Sequence, residues 1–325
     1  MTQALTRPTQ MLRLESTFKP MIWGGGRLGH DEAGTPFGEE WIVSNRPDGM
    51  CRIAEGSHAG EFAGASLDDV LSTGAGGTQG PAGDDFPVLV KLLDTGNVGP
   101  SIQVHPSDEY AQAHGLARGK SEMWVITEAD RDSYIWFGVA HDVSPYELES
   151  AIANNTVVQL LRKLPVSAGD VVYLPAGTIH GTGPNITFYE VQQNSDTTYR
   201  VYDFGRLGVD GKPRELHIKE ACEVASLTPA PEPGPLGPCV PIEGGTWQLL
   251  GNCASFSAWR YEVTDIISIP LSDESFISVT VMIGDCELIL GEQHETVDEG
   301  QTWFVPAQEG VLKAHGNCEL LVVSA

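Results

Sequence analysis

Gln103 and His105 stand two residues apart in the stretch 101–111, SIQVHPSDEYA, within a run patterned like a β-strand. Side chains at i and i+2 of a strand leave from the same face, so the pair can converge on one metal ion. Glu122 follows in GKSEMWVI, where the alternation around Met123, Trp124, Val125 and Ile126 predicts a neighbouring strand. His180 closes GDVVYLPAGTIH, an apolar strand over Val171 to Leu174 followed by the turn signal Pro175-Ala176-Gly177. Two imidazoles, a carboxylate and an amide from separate strands make a donor set for a catalytic metal site with at least one open position.

Each donor also has a simpler reading. His105 precedes a proline and an acidic helix start, where an imidazole can support a turn. Glu122, flanked by Met123 and Trp124, would be costly to bury without a cation or hydrogen bonds to compensate it. An amide oxygen is a poorer zinc ligand than an imidazole, so Gln103 suits either ligation or a hydrogen bond that orients His105. His30, His58, His114, His141, His217, His294 and His315 have no partners at useful spacing and read as surface or structural.

The elements that must position these groups are mostly strands. Short apolar runs bounded by Gly, Pro, Asn or Asp recur at 40–44, 87–93, 101–104, 123–127, 133–137, 170–174 and 186–193, the rhythm of an antiparallel barrel or sandwich. Helical pattern is confined to 67–72, 108–114 and 146–154, the last entered through Ser144-Pro145, a cap followed by proline at the first helical position. A glycine-rich loop spans 74–85 and a proline-rich linker, TPAPEPGPLGPCVP, spans 228–241. The linker predicts an N-terminal domain over 1–227 that carries the chemistry and a C-terminal β domain over 242–325.

The second part holds a weak repeat of the first. Residues 299–311, EGQTWFVPAQEGV, lie over 168–180, AGDVVYLPAGTIH, without a gap, and Val311 takes the place of His180. Two barrels of one architecture follow, of which only the first keeps a metal ligand at the end of this strand.

With 325 residues and 41% hydrophobic composition the chain can bury a sizeable core. Its formal charge of −25 argues against nucleic acid or an anionic membrane as partner, while a few local cations can still hold a small anion. No apolar run approaches membrane-spanning length, and the polar start MTQALTRPTQ does not resemble a secretory signal, so a cytoplasmic location is the expectation. Cys51, Cys222, Cys239, Cys253, Cys286 and Cys318 are scattered with no CxxC spacing and read as reduced thiols.

Gly169, Pro175, Gly177 and His180 reproduce the second motif of the cupin superfamily, G-x5-P-x-G-x2-H. The first motif departs from ordinary cupins, with Gln103-Val104-His105 followed by a long insertion before Glu122. In this the chain resembles type I phosphomannose isomerases, which use QxHP, a later K-x-E-x-W and PAGTxH as zinc ligands. FKPMIWGG at 18–25, GEEWIVS at 38–44, PVLVKLL at 87–93 and EVQQNSDTTYR at 190–200 are further family-like blocks in the same order, and point to the compact bacterial form. The resemblance implies two cupin-like jelly-roll barrels with a few short helices, and one zinc per chain on Gln103, His105, Glu122 and His180. It also implies D-mannose 6-phosphate and D-fructose 6-phosphate as the substrate pair; a monomer or small homo-oligomer is the expectation for the chain itself.

The cations fit a sugar phosphate. Lys91 lies in an otherwise apolar run, where an ammonium either points into a polar cavity or snorkels from an edge. Lys120 shares the face of Glu122 if that strand begins early enough. Arg200 offers a rigid, permanently charged fork suited to phosphate or to a developing enediolate oxygen, the plain alternative being a surface ion pair. Moving a carbonyl between C1 and C2 needs removal of a proton beside it, a cis-enediolate, and return of a proton to the adjacent carbon. Asp196, Glu190 or a metal-bound water would carry the proton, and Arg200, Lys120 and Lys91 would offset the negative charge. Composition and spacing alone stop at a metal-dependent β-barrel enzyme. A cupin Fe(II) oxygenase and a non-catalytic sugar-binding cupin use the same donor set.

Overall fold

The structure, a computed structural model, describes residues 5–56, 58–208 and 211–325. The chain divides into two compact units, one built from the residues up to Lys19 with 40–91 and 235–325, the other from 20–39 and 92–234. These units are drawn differently from the expected consecutive domains 1–227 and 242–325. Residues 40–91, read from sequence as part of the first domain, group with the C-terminal segment. The reason is long-range pairing: Leu12–Glu15 lies antiparallel to Thr302–Val305 on one side and to Arg52–Ile53 on the other.

The unit of 20–39 and 92–234 carries the predicted metal residues. Its five-stranded antiparallel sheet runs in the order Tyr199–Tyr202, Ile102–Val104, His180–Thr182, Tyr134–Val139, Leu161–Pro165. A second antiparallel set places Glu122–Ala129 between Val171–Leu174 and Ile186–Gln193. Alternation sorts the side chains, since successive residues of a strand point to opposite faces. Ile102, Val104 and Val201 pack outward with Leu148 and Ile152 of helix Pro145–Ala153 and with Ala221 of helix Ile218–Val224. Ile135 and Phe137 pack inward against Trp124, Ile126, Val172, Leu174 and Phe188 of the other set. The layer between the two sheets is thus apolar at one end, and residues opposite in phase to Ile102 and Val104 point into it.

Local chemistry explains the helices. Ser144 accepts the Glu147 N–H at 3.2 Å, and Pro145 holds the first helical position, as the sequence predicted. Ser107 caps Asp108–Ala113 in the same way through Tyr110, at 3.3 Å. Helix Ile218–Val224 was not anticipated. Its leading residue His217 makes no side-chain cap, so the usual start signal is missing.

The other unit holds a ten-stranded antiparallel sheet dominated by two long strands, Ile277–Leu290 and Gly310–Ser324, which pair along their length. Val279, Val281, Leu288, Trp303, Leu312, Leu320 and Val322 form its core. The internal repeat is visible in the backbone. Gly169 and Gly300 both take positive φ, 93° and 82°, and each precedes a four-residue strand, Val171–Leu174 and Thr302–Val305. At the position of His180 the second copy presents Val311, which is 46% exposed. None of the six cysteines forms a disulfide among the described residues. Among the described residues no helix is long and apolar enough to cross a membrane.

Candidate metal centre

His105, Glu122 and His180 come together as a buried cluster whose ligand atoms all lie within 4.8 Å of one another. Glu122 opens its strand, stands opposite Leu174 on one side and Gln192 on the other, and is 0% exposed. One carboxylate oxygen lies 3.3 Å from His105 Nε2 and the other 3.4 Å from His180 Nε2. Each imidazole is turned by its other nitrogen. His105 Nδ1 contacts the Thr197 carbonyl at 2.8 Å, and His180 Nδ1 contacts the Thr178 carbonyl at 2.9 Å. A carbonyl can only accept, so both Nδ1 atoms carry the proton and both Nε2 lone pairs face Glu122.

The backbone that delivers these groups is tightly specified. The Pro175-Ala176-Gly177 turn is bound to the end of the neighbouring strand Ile102–Val104, with Gly177 N–H donating to the His105 carbonyl at 2.9 Å. Gly177 has φ +88°, and a Cβ there would meet the Val224 carbonyl and Ser226 Oγ at 3.0 Å. Both the conformation and the space call for glycine. Ala176 N–H donates to Ser121 Oγ at 3.2 Å, which joins the same turn to the residue before Glu122.

Electrostatics describes a site arranged for a cation. Lys120 precedes the strand, yet its ammonium reaches both Glu122, with which it forms a short ion pair, and His105 Nε2 at 3.3 Å. Burial would raise the Glu122 carboxyl, but the charge of Lys120 beside it holds it well below its ordinary value. Burial, followed by the charge of Lys120, pushes His105 down to about 3, and burial lowers His180 as well. Glu122 Oε2 and His180 Nε2 are buried without a hydrogen-bond partner. Two such orphaned acceptors facing each other are expensive unless an ion fills the space between them. An anionic carboxylate with two neutral imidazoles is the donor chemistry of a divalent transition metal, and the residues fit that group.

Around the cluster the ladder aligns further groups. Arg200, Gln103 and His180 are direct register partners across three neighbouring strands, so their side chains leave the same face. Gln103 therefore stands between the imidazole and the guanidinium. Glu190 is 4% exposed, faces Trp124 in the ladder two positions from Glu122, and accepts its indole N–H at 3.0 Å. Trp124 also meets His180 edge-on, with ring centroids 5.5 Å apart. Asp196 is exposed and sits one residue before Thr197 in the loop that backs His105. Gln192 fixes that loop by donating through Nε2 to the carbonyls of Gln193 and Ser195, both at 2.9 Å. Lys91 belongs to the other unit, where it is 9% exposed with its ammonium 5.3 Å from the Trp41 ring centroid.

Several contributors were not singled out from sequence. Thr178 and Thr197 act through backbone carbonyls and carry no side-chain signal. His217, read as surface or structural, accepts the Arg200 backbone N–H on its Nδ1 at 3.0 Å. Gln192 was detectable, because it keeps the phase of Glu190 along an alternating strand.

A cupin β-fold that directs two imidazoles and a buried carboxylate at one point defines a cupin with a site fitted to a metal ion. A family model described as the catalytic domain of type I phosphomannose isomerase matches residues 11–130. The chain is 33% identical over 318 residues to mannose-6-phosphate isomerase ManA of Bacillus subtilis (strain 168), covering 97% of this chain and 98% of that protein. It resembles a crystal structure of mannose 6-phosphate isomerase from Bacillus subtilis with a TM-score of 0.85 and 31% identity, over 97% of this chain and 99% of that one. A holo, zinc-bound mannose 6-phosphate isomerase shares the fold at TM-score 0.75 and 16% identity, covering 97% of this chain and 99% of that one. The chain belongs to the type I phosphomannose isomerase family.

Proposed function

We propose that this protein interconverts D-mannose 6-phosphate and D-fructose 6-phosphate with one zinc ion per chain. The observation that carries the reading is the buried His105–Glu122–His180 cluster with both Nε2 lone pairs turned inward, in a chain of this family. Relatives named as isomerases favour it over the oxygenase and binding-protein readings of the same donor set.

His105, Glu122 and His180 would hold the ion, with Gln103 as fourth donor. When bound, zinc supplies Lewis acidity toward the sugar oxygens at C1 and C2. The remaining work belongs to the side chains. A carboxylate, Asp196 or Glu190, takes the proton from C2 of the open-chain aldose and returns it to C1. The hydroxyl proton on O2 moves to O1, so the oxidation at C2 and the reduction at C1 balance within the sugar and no oxidant is needed. Lys120 and Arg200 place positive charge where the enediolate or the phosphate is negative, a stabilisation strengthened by burial. Trp124 walls the site and keeps Glu190 oriented.

Incubation of mannose 6-phosphate with the zinc-loaded protein in deuterated water tests the reading. Fructose 6-phosphate should form without oxygen uptake, and solvent deuterium should enter only at C1 of the ketose and C2 of the aldose. Oxygen consumption, or absence of both product and exchange, contradicts it.

A further inference from the structure

Asp203 lies outside every role assigned so far, yet it is 6% exposed and holds two guanidiniums. Arg214 donates to it through Nε at 2.7 Å and through Nη2, and Arg206 donates through Nη2 at 2.6 Å. Burial would raise the Asp203 carboxyl, but these hydrogen bonds and charges bring it below its ordinary value, so it is an anion in the fold.

The segment that Arg214 begins is the one that holds Arg200. Glu215, the next residue, accepts Arg200 Nη1 on its carbonyl at 3.0 Å. His217 brackets the Arg200 backbone, accepting its N–H on Nδ1 at 3.0 Å and donating its own N–H to the Arg200 carbonyl at 2.9 Å. Arg206, the other arm of the clamp, donates through Nη1 to the Gly99 carbonyl at 2.8 Å, just before the strand that carries Gln103. Arg200 Nε is buried without a hydrogen-bond partner. Its guanidinium is therefore steered from one side by a single carbonyl, and the placing of that carbonyl depends on what anchors Arg214.

We propose that Asp203 is a positioning residue for Arg200: by clamping Arg214 and Arg206 it fixes the Glu215 carbonyl and His217 that aim the guanidinium along the row with Gln103 and His180. This rests on the proposed isomerase function. Asp203 also separates like charges. Arg200 is lowered by burial and then by the charge of Arg214, and Asp203 opposes that effect. Without the carboxylate, Arg200, Arg206 and Arg214 face one another uncompensated, and the 214–217 segment has reason to move away.

The test is a double-variant cycle on the zinc-loaded protein, with metal content measured for each form and mannose 6-phosphate as substrate. Asp203→Asn should lower kcat/KM by about tenfold in the parent and by less than about twofold when Arg200→Ala is already present, because residues acting through one another are not additive. Asp203→Glu should restore part of the loss. Arg214→Gln provides a second route should Asp203→Asn not fold, and it should show the same coupling to Arg200. Equal losses in both backgrounds, or no loss in the parent, overturn the inference and leave the isomerase intact. A parent without turnover removes the proposed function and this inference with it.

Discussion

The carbonyl of Thr197 accepts the Nδ1 proton of His105 at 2.8 Å, so the loop after Ile186–Gln193 is fastened directly to a metal-facing imidazole. One bond sets the ring's tautomer and the place of the residue before Thr197, which is Asp196. Carbonyl partners of this kind also raise the basicity of a metal-binding histidine.

That fastening makes Asp196 the first choice for the proton carrier. Asp196→Asn should lower kcat by about 10²–10⁴ while zinc content and KM stay near the parent values. Glu190, already engaged by the Trp124 indole, should tolerate Glu190→Gln better. Unchanged kcat in Asp196→Asn would move the base to Glu190.

Glu122→Gln removes the only charge among the proposed donors and leaves Lys120 without its ion-pair partner. Turnover should fall by at least about a hundredfold and zinc should be lost on dialysis, with the far-UV circular dichroism of the β-fold kept. A variant that keeps zinc and turnover would take Glu122 out of the site.

Arg200→Ala should reduce kcat/KM by about 10²–10³, the loss expected for one donor to a developing oxyanion. If Arg200 serves the phosphate instead, the loss falls on KM. Parent values for both kcat and KM would show that the guanidinium touches neither.

Gly177→Ala tests the turn that precedes His180. A positive φ of 88° and close approach to the Val224 carbonyl should cost about 1–3 kcal/mol in urea unfolding, and the zinc affinity should weaken with it. An unaltered urea midpoint would mean that the turn relaxes freely.

For the metal-free protein the pH dependence has a definite sign. His105 is lowered from 6.5 to about 3, so it stays neutral in the fold while the unfolded chain takes up a proton below 6.5. Its effect on stability is absent above pH 6.5 and becomes a loss as pH falls toward 3, with a slope of about 1.4 kcal/mol per pH unit. His180 is lowered too and acts in the same direction, and Glu122, held well below 4.5, adds to the loss below that value. Urea midpoints of the chelated protein should fall between pH 7 and pH 5, and a flat profile would contradict the buried neutral imidazoles.

Much of this was legible in the sequence because the signals are local. The phase of Gln103 and His105 and the Pro-Ala-Gly turn before His180 are short-range patterns, and the structure places all three residues on one face or at one point. Ile186–Gln193 is observed with the predicted bounds. What escaped depends on distance in the chain. No local pattern pairs Leu12–Glu15 with Thr302–Val305, so the composition of the compact units was not readable. Helix Ile218–Val224 lacked a capping residue, although Ile218, Ala221, Cys222 and Ala225 do carry helical spacing. Lys120 shows the opposite case: it lies before its strand, so strand alternation does not place it, and only its long side chain brings it to Glu122.

The most direct test of the central claim is the rate of fructose 6-phosphate formation from mannose 6-phosphate by one preparation in three states: as purified, after chelation, and after zinc is restored. The account predicts turnover that vanishes with the metal and returns in proportion to zinc bound, up to one ion per chain. Turnover that survives complete removal of metal, or a folded and fully zinc-loaded protein that forms no fructose 6-phosphate, would contradict it.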